Sequence, residues 1–336
     1  MKKILLLLCA VIFISSFLLF NYYNNSLKPI DENDLAEYLI DIKMGSSFNE
    51  AARELEQKDV IKNAFTFKIF AKNEKLMDIK AGKYRLYRSM DVKEILNILN
   101  EGKVYIKQKK VTIPEGYNLK QIAKKLSESN IVDEDEFIKK ANDISSFNKD
   151  YKFLNEKNIN SLEGFLFPDT YEFPLEEDEE IIIKIMLNRF NNVFKEEYYQ
   201  VLKERKISIN ELVTMASIVE REAKKDEERP LISAVFYNRL DINMKLQSCA
   251  TVQYLLPEIK PRLLNKDLEI ESPYNTYKYK GLPPGPISCP GEKSINAALY
   301  PSDVDYLFFV AKKDGSHTFT KTLRAHNNAK RKNLNR

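Results

Sequence analysis

Three cysteines and two histidines in 336 residues leave little for a zinc site, and no metal ligand set is expected. The sequence holds no GxGxxG and no P-loop, so nothing in it supports a nucleotide cofactor. It also lacks a strong charge of either sign. Lysine plus arginine number 53 against 49 acidic residues, and setting Lys2 and Lys3 aside leaves a nearly neutral body. A dedicated nucleic-acid binder normally carries a basic excess, so nucleic acid is not an expected partner. Glycine is scarce: of nine, four fall between 281 and 315, beside a dense proline cluster. What is present is ordinary for a folded chain. Hydrophobic residues at 43% and charged residues at 30% exclude wholesale disorder. The length suits about two domains with ample cores.

The N-terminus bears on compartment. After Met1-Lys2-Lys3, an apolar run from Ile4 to Phe20 is relieved only by Cys9, Ser15 and Ser16. As a helix it measures about 26 Å, the short end of a membrane span. Tyr22 and Tyr23 follow as interfacial anchors would. A cleaved signal peptide is the competing possibility, but Asn21 to Asn25 offer no small-x-small cleavage site. An uncleaved anchor (4–20) is therefore expected, with a cytoplasmic tip (1–3) by the positive-inside rule, a tether (21–35), and the bulk of the chain outside.

Two segments then resemble one another at an offset of 71 residues: Ile42, Gly45, Ala52, Leu55, Val60 and Ile61 match Ile113, Gly116, Ala123, Leu126, Ile131 and Val132. Each predicts a strand, a turn glycine, an amphipathic helix and a second short element. Ile79 to Leu86 alternates like a strand, and Asp91 to Leu99 predicts a helix capped by Asp91 with Gly102 past its end. Small α+β units are expected, serving either as a spacer or as a polysaccharide-binding module.

Downstream, Glu180 to Glu204 predicts one helix. Ser208 and Glu211 fit a capping box opening the next. There Leu212, Met215, Ala216, Val219 and Ala223 form one apolar stripe, with Glu220 and Glu222 on its opposite edges. Glu220 is flanked by small residues (Ala216, Ser217, Ala223), so it can border a cleft. A partly buried carboxyl in such a place retains its acid form near neutral pH. Most glutamates at a helix edge are solvated, and spacing alone does not decide the matter. Arg229 to Leu240 predicts another helix, and the loops after it supply neutral hydrogen-bonders and flat rings: Gln247, Ser248, Tyr274, Asn275, Thr276 and Tyr277. That mixture suits a sugar chain, and it equally suits a packed loop set. Tyr306 to Ala311 predicts a buried strand returning through Gly315 to His317-Thr318-Phe319, and His326-Asn327 ends a short helix. A lone histidine is usually structural.

At these positions the chain resembles the MltG (YceG-like) endolytic murein transglycosylases. The matching segments are Glu163-Gly164, Phe167 to Tyr171, Ala216 to Glu220, Asn238-Arg239-Leu240, Leu246-Gln247-Ser248, Tyr274 to Tyr277, Gly281 to Gly285, Pro290-Gly291, His317 to Phe319, and His326-Asn327. They come in family order over roughly residues 110–328.

The resemblance implies an α+β, membrane-anchored ectodomain. It would comprise a LysM-like α+β region (36–105), a second LysM-like repeat (106–160) and a mixed α/β catalytic domain (161–330). It implies a lyase that cuts MurNAc–GlcNAc β-1,4 bonds in nascent peptidoglycan and leaves 1,6-anhydro-MurNAc ends. Glu220 falls on the family's catalytic glutamate. One carboxyl there could give a proton to the glycosidic oxygen and then take one from the C6 hydroxyl, with no cofactor. Gln247, Ser248, Tyr274, Asn275, Thr276, Tyr277 and His317 are the candidate substrate-binding residues. Glycan strands, the cell (inner) membrane and cell-wall synthases are the implied partners. Cys249 stands where the family often has Asp. Two other classes stay open: a conventional glycosidase pairing Glu220 with Asp169 or Glu163, and a non-catalytic wall-binding protein. Cys249 and Cys289 are also candidates for a disulfide.

Overall fold

The computed structural model describes residues 2–156 and 158–334; Met1 of the expected tip lies outside the described residues. The chain divides into two compact units, 1–107 and 108–336.

In the first unit, helix α1 (Lys2–Ser26) has a mean hydropathy of 2.7 over its most apolar stretch, and that stretch is not buried. It continues through Tyr22 and Tyr23, so the start of the expected tether is helical. Strand β1 (Tyr38–Ile42) leads to α2 (Phe48–Gln57) and α3 (Ala64–Asn73). Strand β2 (Gly82–Leu86) returns antiparallel to β1, and α4 (Val92–Glu101) follows. Alternation puts Ile40, Ile42, Tyr84 and Leu86 on one face of the ribbon, where they meet Leu55, Phe67, Ile95, Leu96 and Leu99. Capping boxes start α2 (Ser47, Glu50) and α4 (Asp91, Glu94), and Gly102 ends α4 in the left-handed conformation.

The second unit opens with the same pattern. Strand β3 (Gln108–Thr112) leads to α5 (Leu119–Glu128), which lies at α2 plus 71 from end to end, and then to α6 (Glu134–Ala141). The capping box recurs as Asn118 and Gln121, and the turn glycines Gly45 and Gly116 share φ near +80° (+82° and +78°). The partner strand differs. β3 pairs antiparallel with β4 (Thr170–Pro174), and α5 and α6 bury Ile122, Leu126 and Phe137 in one core with α7 to α12, so the core does not divide at residue 160.

The expected helix over 180–204 is two: α7 (Glu179–Val193) and α8 (Glu196–Arg205). The chain leaves helical geometry at Phe194 and Lys195. The break buries Phe194, which stacks on Phe190 at 5.6 Å and meets Tyr198 and Tyr199 edge-on.

Helix α9 (Ile209–Glu222) starts at the expected Ser208–Glu211 capping box. It carries more than one apolar stripe, because every residue from Leu212 to Val219 is buried. The helices α10 (Arg229–Asp241), α11 (Cys249–Gln253) and α12 (Glu292–Leu299) pack on it. The 283–290 loop closes another side, where Ser217 Oγ accepts the Ile287 N–H at 3.0 Å. An unpunctuated helix with small residues (Ala216, Ser217) on one side can be approached by backbone, which is why it becomes the axle of the unit.

Strand β5 (Phe308–Ala311) is shorter than expected and only half-buried: it pairs with β6 (His317–Thr320) in a two-stranded ribbon, where Phe309 meets Phe236 and Phe308 meets His326. His326 and Asn327 lie inside α13 (Leu323–Leu334) rather than at its end: Ala329 to Lys332 are good helix formers with no glycine or proline to stop them. All three sheets among the described residues are antiparallel pairs, so the fold is mixed α+β and the expected α/β character of the catalytic region is not found.

Candidate active site

Glu220 sits in the last turn of α9, and its side chain is only 6% exposed. The apolar margin expected around it is not what its carboxyl meets. Arg229 Nη1, at the start of α10, donates to Oε1 at 3.1 Å, and the Gly291 N–H donates to Oε2 at 3.1 Å. Gly291 is the N-cap of α12, so Glu220 also lies at the positive end of that helix. Arg229 is itself fixed. Its Nε donates to Asp226 Oδ1 at 3.0 Å and its Nη1 to Ser294 Oγ at 2.5 Å, and Lys293 pairs with Asp226 on the outside. A Glu–Arg pair this desolvated is held by geometry and extra hydrogen bonds rather than by bulk attraction. Arg229 and Ser294 carry no sequence signal for a place in the site. Only the packing of α9, α10 and α12 brings them to Glu220, and the Pro290-Gly291 pair was the one local signal.

One further acid approaches. Glu115 follows β3 in the turn Pro114-Glu115-Gly116. A Cβ added to Gly291 would fall 1.9 Å from Glu115 Oε1, so this carboxyl rests on the glycine whose N–H binds Glu220. Glu115 is an exposed residue with a partly desolvated carboxyl; that desolvation, then the charge of Glu220, raise its pKa from the ordinary carboxylate value, against the pull of Arg229 and Lys293.

Glu222 faces elsewhere, accepting the Ser248 O–H at 2.5 Å. Ser248 is buried; its N–H donates to Thr276 Oγ1 at 3.1 Å, and Thr276 Oγ1 lies 2.8 Å from Thr251 Oγ1. Asn275 is fully buried and donates to the Leu268 and Ile270 carbonyls. Ser248, Thr276 and Asn275 thus brace the loops with the hydrogen bonds expected to meet a ligand. Gln247 is exposed on this loop in a left-handed conformation (φ +50°). Half-buried Tyr277 touches Cys249 Sγ through its hydroxyl at 3.1 Å, and Tyr274 packs on Tyr254 with ring centroids 5.1 Å apart. Buried His317, on β6, contacts Glu228 Oε2 through Nδ1 at 2.7 Å and stands edge-on to Phe309.

Neither proposed second acid bonds to Glu220. Asp169 pairs with Arg189 at 2.6 Å. Glu163 is buried, its oxygens accepting from the Leu119 N–H and the Tyr254 hydroxyl at 3.2 Å, and desolvation pushes its pKa up to about 7. Glu163 and Tyr254 line a cavity of about 660 Å³ alongside α5 whose lining does not include Glu220. The candidate Cys249–Cys289 disulfide is not formed. Cys249 and Cys289 are both free, one exposed beside Tyr277 and the other fully buried.

Comparison with known proteins is consistent in direction. A profile described as the YceG-like family matches residues 40–332. The chain is 40% identical over 324 residues to an endolytic murein transglycosylase of Bacillus subtilis, covering 93% of this chain and 89% of the relative. It is 34% identical to an endolytic murein transglycosylase of Streptococcus pneumoniae, covering 87% of this chain but only 57% of that longer protein. A crystal structure of a YceG-like protein from Listeria monocytogenes superposes with a TM-score of 0.61 at 38% identity, over 87% of this chain and 99% of that one.

Proposed function

The chain belongs to the YceG-like family, and from that membership we propose that it is an endolytic murein transglycosylase, a lyase that cuts peptidoglycan glycan strands internally. Glu220 is its reacting carboxyl. The observation that carries this is the Glu220 constellation: a carboxyl at a helix end, screened from water, held by Arg229 and the Gly291 N–H.

The chemistry follows from the bond to be broken. Cleaving the MurNAc–GlcNAc linkage without water needs a proton for the departing oxygen and a base for the C6 hydroxyl that closes onto C1. Both jobs suit carboxyls. A hydrolase would need a second carboxylate placed to activate water, and Asp169 and Glu163 are bound to other partners. Arg229 and the α12 N-terminus fix the Glu220 carboxyl, so it does not need to reorganise as charge moves. Exposed Gln247 offers the strand a hydrogen-bonder, and half-buried Tyr274 and Tyr277 offer ring faces.

Helix α1 serves as the anchor, with Lys2 and Lys3 in the cytoplasm and the chain after it on the outer side of the cell membrane. The first unit is LysM-like in its strand–helix–helix order and holds glycan, and residues 108–160 reuse that order inside the catalytic unit. Cell-wall synthases that extrude the strand are the natural neighbours. The test is digestion of purified glycan by the full-length protein in detergent, with the products weighed. The wild type should leave 1,6-anhydro-MurNAc ends, and Glu220→Gln should lose activity at or beyond the top of the 10²–10⁴-fold range of acid–base assistance. Reducing ends carrying one water oxygen would make it a hydrolase. Undiminished cleavage by Glu220→Gln would remove Glu220 from the site.

A further inference from the structure

We propose that Glu115 is a second catalytic carboxyl of this site, supplying the proton for the glycosidic oxygen while Glu220 takes the proton of the C6 hydroxyl; this rests on the transglycosylase reading above. The turn bearing Glu115 is locked to the Glu220 neighbourhood on three strands of contact. The Gly116 N–H donates to the Cys289 carbonyl at 2.9 Å, the Cys289 N–H donates to the Tyr117 carbonyl at 2.8 Å, and Arg221 Nη1 donates to the Gly116 carbonyl at 3.2 Å. Close approach is built in. A Cβ on Gly116 would lie 3.6 Å from Glu220 Cγ, and one on Gly291 would collide with the Glu115 carboxyl. The two acids therefore share Gly291 as a common wall.

Their surroundings divide the labour. Both Glu220 oxygens accept hydrogen bonds, from Arg229 and from Gly291. Glu115 lies at an exposed position and its carboxyl is only partly desolvated; that desolvation and the charges of Glu220 and Asp226 raise its pKa against the pull of Arg229 and Lys293, the direction that suits a proton donor. Two neighbouring carboxyls that divide in this way make an acid and a base.

The fold does not need a glutamate here. The matching turn of the first repeat has the same glycine geometry and capping box, and its residue is Met44, almost wholly exposed.

The step balances within the pair. The proton leaves Glu115 for the glycosidic oxygen as the C1–O bond breaks. O6 bonds to C1, and its proton passes to the Glu220 carboxylate. The pair ends with the one proton it began with, and no water enters.

The experiment compares Glu115→Gln, Glu220→Gln and wild type, as full-length protein, on two substrates: native glycan strands across pH, and a strand ending in an aryl leaving group at C1 that departs without a proton. Glu115→Gln should lose about 10²–10⁴-fold on native strands, with the alkaline limb of the wild-type profile gone. It should stay within about tenfold of wild type on the aryl strand, while Glu220→Gln fails on both. Native-strand activity within about threefold of wild type with an unchanged pH profile overturns the proposal, as does equal loss on both substrates at unchanged melting temperature. Failure of the transglycosylase reading shows separately, as reducing ends from the wild type.

Discussion

Glu163 gives the protein a pH-dependent stability whose size follows from its burial. The residue is only 6% exposed and its carboxyl accepts hydrogen bonds from the Leu119 N–H and Tyr254 hydroxyl, yet desolvation outweighs them and raises its pKa from 4.5 to about 7. The folded protein thus keeps a proton that the unfolded chain has already released. Stability falls as pH rises from about 4.5 through 7, and this group adds no slope outside that window. At 1.36 kcal/mol per pH unit the full effect is about 3 kcal/mol. For a unit of this size that moves the melting temperature by about 6–12 °C. His326 acts with the opposite sign below its unfolded value of 6.5, because burial lowers its pKa and the folded state releases its proton first. The clean measurement is therefore the difference between wild type and Glu163→Gln, melted from pH 4.5 to 8. Glutamine still accepts from Leu119 and never ionises. The variant should gain on wild type as pH rises, reduced by about 1 kcal/mol for its extra amide donor. A difference curve flat across pH 5–7 would refute the burial argument.

Two further perturbations separate the site from its supports. Gly291→Ala places a methyl where the Glu115 carboxyl lies, and that carboxyl is the flexible end of a side chain that must swing away. Glycan cleavage should fall by tenfold or more, since misplacing a reacting group by about 1 Å costs up to about 10²-fold, while the melting temperature changes little; retained activity would show that Glu115 can move freely without consequence. Leu55→Ala, in the core of the first unit, should cost that unit about 2–5 kcal/mol. Binding of long strands should weaken with it while short strands are still cut, and complete loss of cleavage on short strands would show that the first unit builds the reactive centre.

How much was legible follows from what each feature depends on. The α9 and α4 caps are local hydrogen-bond patterns, and Ser208–Glu211 and Asp91–Glu94 declare them within four residues. The strand–glycine–helix repeat is periodic and equally local. The break at Phe194 is not: it exists because one ring is buried among Phe190, Tyr198 and Tyr199. The all-round burial of α9 likewise depends on what α10, α12 and the 283–290 loop bring to its other faces. Among candidate site residues, chemical type was readable and role was not. Asn275 and Thr276 look like ligand hydrogen-bonders in sequence and are consumed bracing their own loops.

The repeat also shows where the missed residue could have been sought. Two copies of one turn obey the same backbone rules: glycine at positive φ, a capping box two positions on, an apolar helix after it. Whatever those rules require must appear in both copies. Gly45 and Gly116 do, and so do Ser47 with Glu50 and Asn118 with Gln121. Residues that differ between the copies are released from the turn and answer to something else. Met44 against Glu115 is such a difference, and the something else is visible only after β3 pairs with β4 and the turn meets Gly291. A carboxyl in the second copy, at a position the first gives to an exposed methionine, is there for its surroundings and not for its own loop.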